Sequence, residues 1–123
     1  MADVTPRVGA EALIIQSYSP QGFRIRGADY SGAVLIAGGQ VRELDVKSPS
    51  EIGAAQFALL KGLDVRYLII GCGPTSSMLQ PALLRGFKDM GIVAEGMSTG
   101  AACRTYNVLL AEQRPVAALL LPG

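Results

Sequence analysis

Residues 65–77, Val65-Arg66-Tyr67-Leu68-Ile69-Ile70-Gly71-Cys72-Gly73-Pro74-Thr75-Ser76-Ser77, pass from an apolar run into a loop of glycine, proline and hydroxyl residues. A run of strand length over 65–70, apolar but for Arg66, is what a strand covered on both faces requires. The residues beyond the loop change period. Leu79, Leu83, Phe87 and Met90 recur at helical spacing with Arg85, Lys88 and Asp89 turned away, which predicts a helix near 80–90 that Gly91 ends. A strand over 92–95 follows, then a helix capped by Ser98 or Thr99 and running to about Gln113, then a last strand over 116–121. Strands separated by helices need crossover connections, so these three strands are expected to be parallel neighbours in one sheet.

Upstream of residue 65 the pattern is first β and then helical. Ala12 to Ile15 is a short apolar run, Phe23-Arg24-Ile25-Arg26 alternates as a half-buried strand does, and residues 27–32 form a turn cluster. Residues 33–37 and 40–44 flank Gly38-Gly39, a two-residue hairpin signal because both glycines can take positive φ. Ser48-Pro49-Ser50-Glu51 reads as a capping box opening a helix to about Lys61, with Gly62 as its stop. Ile52, Ala55 and Leu59 make one apolar line that Phe57 and Leu60 widen, implying cover on more than one side. The expected fold is a single three-layer α/β domain over 11–123. It has a central mixed, mostly parallel sheet of about five strands and an N-terminal antiparallel hairpin layer. Residues 1–10 are expected to be flexible.

The chain has 123 residues, half of them apolar, and 11 basic against 10 acidic side chains. Nucleic-acid binding draws its affinity from clustered basic residues, and the nearest thing to a basic stripe is Arg24 and Arg26, two apart on what reads as a solvated face. No apolar stretch approaches the roughly 20 residues needed to span a bilayer. With no secretory leader visible and only Cys72 and Cys103, a reducing cytoplasm and free thiols are expected. Histidine is absent, which removes the usual general base, the usual metal ligand and every Ser-His or Cys-His arrangement. There is no C-x-x-C pair, and no metal or cofactor is expected.

The Gly71–x–Gly73 turn, with Glu95 ending the next strand, partly matches a dinucleotide-binding unit at the carboxyl edge of an α/β sheet. Against that, Ser76 stands where a third glycine belongs, Pro74 lacks an N–H for phosphate, and the helix starts several residues late. A tight strand-to-helix connection is the plainer reading. Cys72 between its glycines could be a nucleophile with a lowered pKa, or a small, semi-exposed residue that nothing activates; the second reading carries more weight. Cys103 shares a helical face with Tyr106 and Leu110 and reads as core. Tyr106 should pack inward with its hydroxyl partnered, and Asn107, a poor mid-helix residue, should bond a neighbouring element, the 71–77 loop among the candidates.

These motifs taken in order resemble a known family. Residues 68–73, the helix ending Met90-Gly91-Ile92-Val93-Ala94-Glu95, the stretch Ser98-Thr99-Gly100-Ala101-Ala102-Cys103-Arg104-Thr105-Tyr106-Asn107 and the close Val116-Ala117-Ala118-Leu119-Leu120-Leu121-Pro122 resemble mitochondrial complex I (NADH:ubiquinone oxidoreductase) assembly factor 3 and its uncharacterised bacterial and archaeal relatives. The resemblance runs from about Ile14 to Pro122. It implies a three-layer α/β fold and a non-catalytic role, assisting assembly of the membrane-proximal peripheral part of complex I by protein contact. The implied partners are complex I subunits or other assembly factors, with a homodimer as a further expectation. The lack of a transit peptide points to a bacterial cytoplasm, peripheral to the inner membrane through those partners. Members commonly carry Thr where Cys72 stands, which weakens a nucleophilic role for that thiol. The family supplies no catalytic residue. Gly71, Cys72, Gly73, Ser98, Thr99, Arg104, Tyr106 and Asn107 match its recurring motifs and are the candidate partner- or ligand-binding positions. The alternative is a nucleotide or anion binder using the N–H groups of the Gly71–Ser77 loop, and a cysteine-dependent enzyme ranks third.

Overall fold

The computed structural model describes residues 2–3 and 12–123, so the expectation for 1–10 falls largely outside the described residues. Ala2–Asp3 (β1), Ile15–Ser19 (β2), Gly22–Ile25 (β3) and Ala28–Ser31 (β4) form an antiparallel sheet in chain order. Ala33–Ala37 (β5) and Gln40–Leu44 (β6) are the next hairpin, turned by Gly38 and Gly39 at φ 59° and 76° as their sequence requires. After a single 3₁₀ turn over Pro49–Glu51 come Ala54–Leu60 (α1), Tyr67–Gly71 (β7), Pro81–Asp89 (α2), Val93–Met97 (β8), Thr99–Ala111 (α3) and Val116–Leu120 (β9).

The second sheet has the order β6-β5-β9-β7-β8. β7 runs parallel to both β9 and β8, so the three strands that follow helices are parallel neighbours, while β5 pairs antiparallel with β6 and β9. Its two faces collect separate cores. Leu35, Leu68, Ile70 and Leu119 meet Leu60, Leu83 and Phe87 on the α1/α2 side. Val34, Ile36, Ile69 and Leu120 meet Cys103 and Tyr106 of α3 and Ile15, Phe23 and Ile25 of the small sheet on the other. The three layers are therefore α1 with α2, the five-stranded sheet, and α3 with the small sheet. Among the described residues no helix is long and apolar enough to cross a membrane.

Three expectations are corrected. The 27–32 cluster is not one turn: Arg26 and Gly27, at φ 47° and 81°, make the turn, and residues 28–31 continue as β4 with Arg24 opposite Asp29. Strand β2 starts at Ile15, where the 12–15 run ends. The helix expected from residue 48 to about 61 is broken. Ile52 is extended, with ψ 128°, because its side chain turns into the core; α1 restarts after Gly53, where Gln56 Oε1 accepts the Gly53 N–H at 2.7 Å. Glu51 reaches the Lys47 N–H at 3.3 Å, one residue short of the box expected of it. The buried line is thus Ile52, Gln56 and Leu60, with Ala55 exposed and Phe57 set edge-on to Phe87 at 4.5 Å. The breadth read as one helix with an apolar girth belongs to a turn and a short helix.

Candidate functional site

At the carboxyl edge of the five-stranded sheet, β7 ends on a glycine closely approached by α3 and β9, where a larger residue would require its neighbours to give. A Cβ on Gly71 would stand 3.0 Å from Leu120 Cδ2 and Thr99 Oγ1 and 3.1 Å from Thr99 Cα. Gly73 has φ 105°, a conformation L side chains avoid. Between them the Cys72 N–H donates to the Met97 carbonyl at 2.8 Å, fastening the loop to the end of β8.

Thr99 is the centre of this edge. Its hydroxyl accepts the Gly73 N–H at 2.9 Å and donates to the Leu121 carbonyl at 2.5 Å, while its own N–H donates to the Gly73 carbonyl at 2.8 Å. The Leu121 N–H closes the set on the Gly71 carbonyl at 2.9 Å. Ser98 is the N-cap, its Oγ accepting from Ala101 N at 3.4 Å. The start of α3, the ends of β7 and β9 and the intervening loop therefore satisfy one another's terminal backbone groups.

That arrangement commits part of the loop's backbone. An anion cradle needs converging free N–H donors. Those of Cys72, Gly73 and Thr99 are committed to protein acceptors, Pro74 has none, and α2 begins only at Pro81. Glu95, read as the end of its strand, is the middle residue of β8. These features argue against a phosphate cradle built on the N–H groups of Cys72, Gly73 and Thr99.

Neither thiol is poised for attack. Cys72, expected to be semi-exposed, is only 8% exposed, its Sγ 3.8 Å from the Ile70 carbonyl and 3.9 Å from that of Ser77. The correction follows from Gly96, whose lack of a side chain lets β8 close over the sulfur. Cys103 is wholly buried, as expected, and burial pushes its thiol up to about 12 against a smaller lowering by Arg104.

Tyr106 and Asn107 serve a different junction. The Tyr106 hydroxyl donates to the Leu13 carbonyl at 3.1 Å, and burial raises its pKa. Asn107 Oδ1 accepts the Ile15 N–H at 3.0 Å and its Nδ2 donates to the Ile15 carbonyl at 2.8 Å. Asn107 thus clamps β2, not the 71–77 loop; its position mid-helix places it under the small sheet, and Thr99 holds the loop instead. Arg104 is exposed, one turn beyond Gly100, whose missing side chain admits the Tyr18 hydroxyl. Of the eight positions singled out, Gly71, Cys72, Gly73, Ser98 and Thr99 come together, Tyr106 and Asn107 form a second group, and Arg104 stands apart on the surface. What the sequence did not single out are two clefts on the α1/α2 face. One, of about 330 Å³, lies between the 3₁₀ turn and α2, lined by Ile52, Phe57 and Leu83 among others. The other, of about 310 Å³, is lined by Leu84, Lys88, Ile92, Val93 and Ala94. Both arise from apolar residues of separate elements meeting, which no local spacing reveals.

The model of a family described as protein of unknown function (DUF498/DUF598) matches residues 15–121. NADH dehydrogenase (ubiquinone) 1 alpha subcomplex assembly factor 3 of Xenopus tropicalis is 32% identical over 118 residues, 94% of this chain and 64% of that protein, so the chain spans just under two thirds of that relative's length. An uncharacterised protein of Rhodobacter capsulatus is 39% identical over 115 residues, 92% of this chain and 87% of its own. The solution structure of a Bordetella pertussis protein described as a Mth938-like domain superposes with a TM-score of 0.77 at 26% identity, covering 99% of this chain and 92% of that one. The chain belongs to the DUF498/DUF598 family, and the resemblance to complex I assembly factor 3 holds over almost its whole length.

Proposed function

We propose that this protein works without catalysis, as an assembly factor that contacts subunits of respiratory complex I or other assembly factors. The supporting observation is the similarity, over 94% of the chain, to a protein named as a complex I assembly factor. The site geometry is in keeping with it. Most of the candidate positions spend their polar groups on closing the fold, so recognition falls to the outer surfaces and their clefts. The location that goes with this reading is a bacterial cytoplasm, at the inner membrane through protein partners. The test is affinity purification of the tagged chain from detergent-extracted membranes of its own host, with a deletion strain alongside. Complex I subunits or another assembly factor should co-purify, and assembled complex I should fall in the deletion. Wild-type levels of assembled complex I with neither recovered would overturn the reading.

A further inference from the structure

The two edges of the five-stranded sheet are guarded very differently. β6 carries Arg42 and Glu43, and the Glu43 carboxylate accepts the Ser31 N–H of β4 at 2.8 Å, joining that edge to the small sheet. β8 has no strand on its outer side among the described residues. It carries no proline, lysine or bulge, its one charged side chain is Glu95, and its register against β7 is unbroken from Val93 to Met97. The Val93 N–H donates inward to Arg66 and the Met97 carbonyl accepts from Cys72. By the alternation of a parallel ladder, the peptide groups of Ala94 and Gly96 point outward.

The ends of this strand are complementary to each other. Near its start lies the cleft lined by Leu84, Lys88, Ile92, Val93 and Ala94, with Val93 itself 64% exposed. Near its finish, Leu79 packs over Gly96, and the next residue back, Met78, is 97% exposed. Antiparallel pairing of β8 with another β8 reverses one strand on the other, bringing the Met78 end of each copy to the cleft end of its mate. An isologous contact requires this kind of self-complementarity.

We propose that β8 is a homodimer edge, two copies pairing antiparallel about a two-fold axis at Ala94 so that their five-stranded sheets become one. In this register Ala94 faces Ala94, Gly96 faces Ile92 of the second copy, and Glu95 faces Val93. A register centred on Glu95 would set two carboxylates side by side at the close, non-hydrogen-bonded pair and is disfavoured. The surface is independent of the assembly reading, since a dimer can form whatever the complex I partner is.

Sedimentation equilibrium of the full chain tests it. The wild type should be dimeric at about 100 μM. V93E places two new carboxylates opposite Glu95 and should weaken the dimer by about tenfold, and V93E/E95K, which turns each repulsion into an attraction, should restore it. M78D should weaken it by a similar factor. All three sites are exposed, and unchanged far-UV dichroism checks that each variant folds. A wild type still monomeric at about 1 mM, a dimer indifferent to V93E and M78D, or a V93E defect that E95K does not restore would each overturn the proposal.

Discussion

Thr99 has no exposed surface, and its hydroxyl serves two backbone groups at once, the Gly73 N–H and the Leu121 carbonyl. Replacing it by valine keeps the shape and leaves both groups buried without that partner, so Thr99→Val should cost about 2–4 kcal/mol. A urea titration checks this: the midpoint should fall while the slope stays the same. The motif Ser98-Thr99-Gly100 made these residues visible in the sequence as a helix start. It did not separate the cap from the clasp, because the partners of Thr99 lie at residues 73 and 121, brought near only by the parallel pairing of β7 with β9. Cys72 is the complementary case. Two flanking glycines suggested an accessible side chain, and the tertiary structure buried it under β8.

At the level of elements, α2, β7 and β9 were legible because each is amphipathic or apolar over most of its length, and α3 because Ser98 and Thr99 mark its start. The failures fall where a side chain far away outweighs local preference. Ile52 leaves helical geometry to enter the core, and residues 28–31 pair with β3 in spite of turn-like composition. The small sheet is joined to α3 by a shared apolar core and by Asn107, whose amide supplies both partners for Ile15. Asn107→Ala should therefore cost about 2–4 kcal/mol, with the loss concentrated at that junction. Hydrogen exchange measures it: the amides of Phe23 and Ile25 should exchange faster while those of Ile36 and Leu119 keep their protection. Equal loss of protection in both sheets would show that the clamp is not local.

For the whole molecule, burial of Cys103 has a consequence for pH. Its thiol titrates near 12 when folded against an ordinary 9.0, so below about pH 9 both states hold the proton and the group is silent. Between those values the folded state keeps a proton that the unfolded state has released, and stability should fall by about 1.4 kcal/mol per pH unit from this group. Tyr106, raised by burial in the same core, acts in the same direction. Denaturant midpoints from pH 8 to about 11 should show the decline, and Cys103→Ala should flatten it by roughly one proton's worth; coincident slopes for the two proteins would refute it.

Sequence alone determined the α/β class, the parallel trio of strands, the hairpin at Gly38-Gly39 and the family, because hydrophobic period and glycine geometry act over neighbouring residues. Only the tertiary structure decided that Gly73 and Thr99 close the fold, that Asn107 holds β2, and that β8 has no strand on its outer side among the described residues. Each of those depends on which distant backbone groups meet, and a hydrogen bond between residues 92 positions apart leaves no mark on the spacing of either.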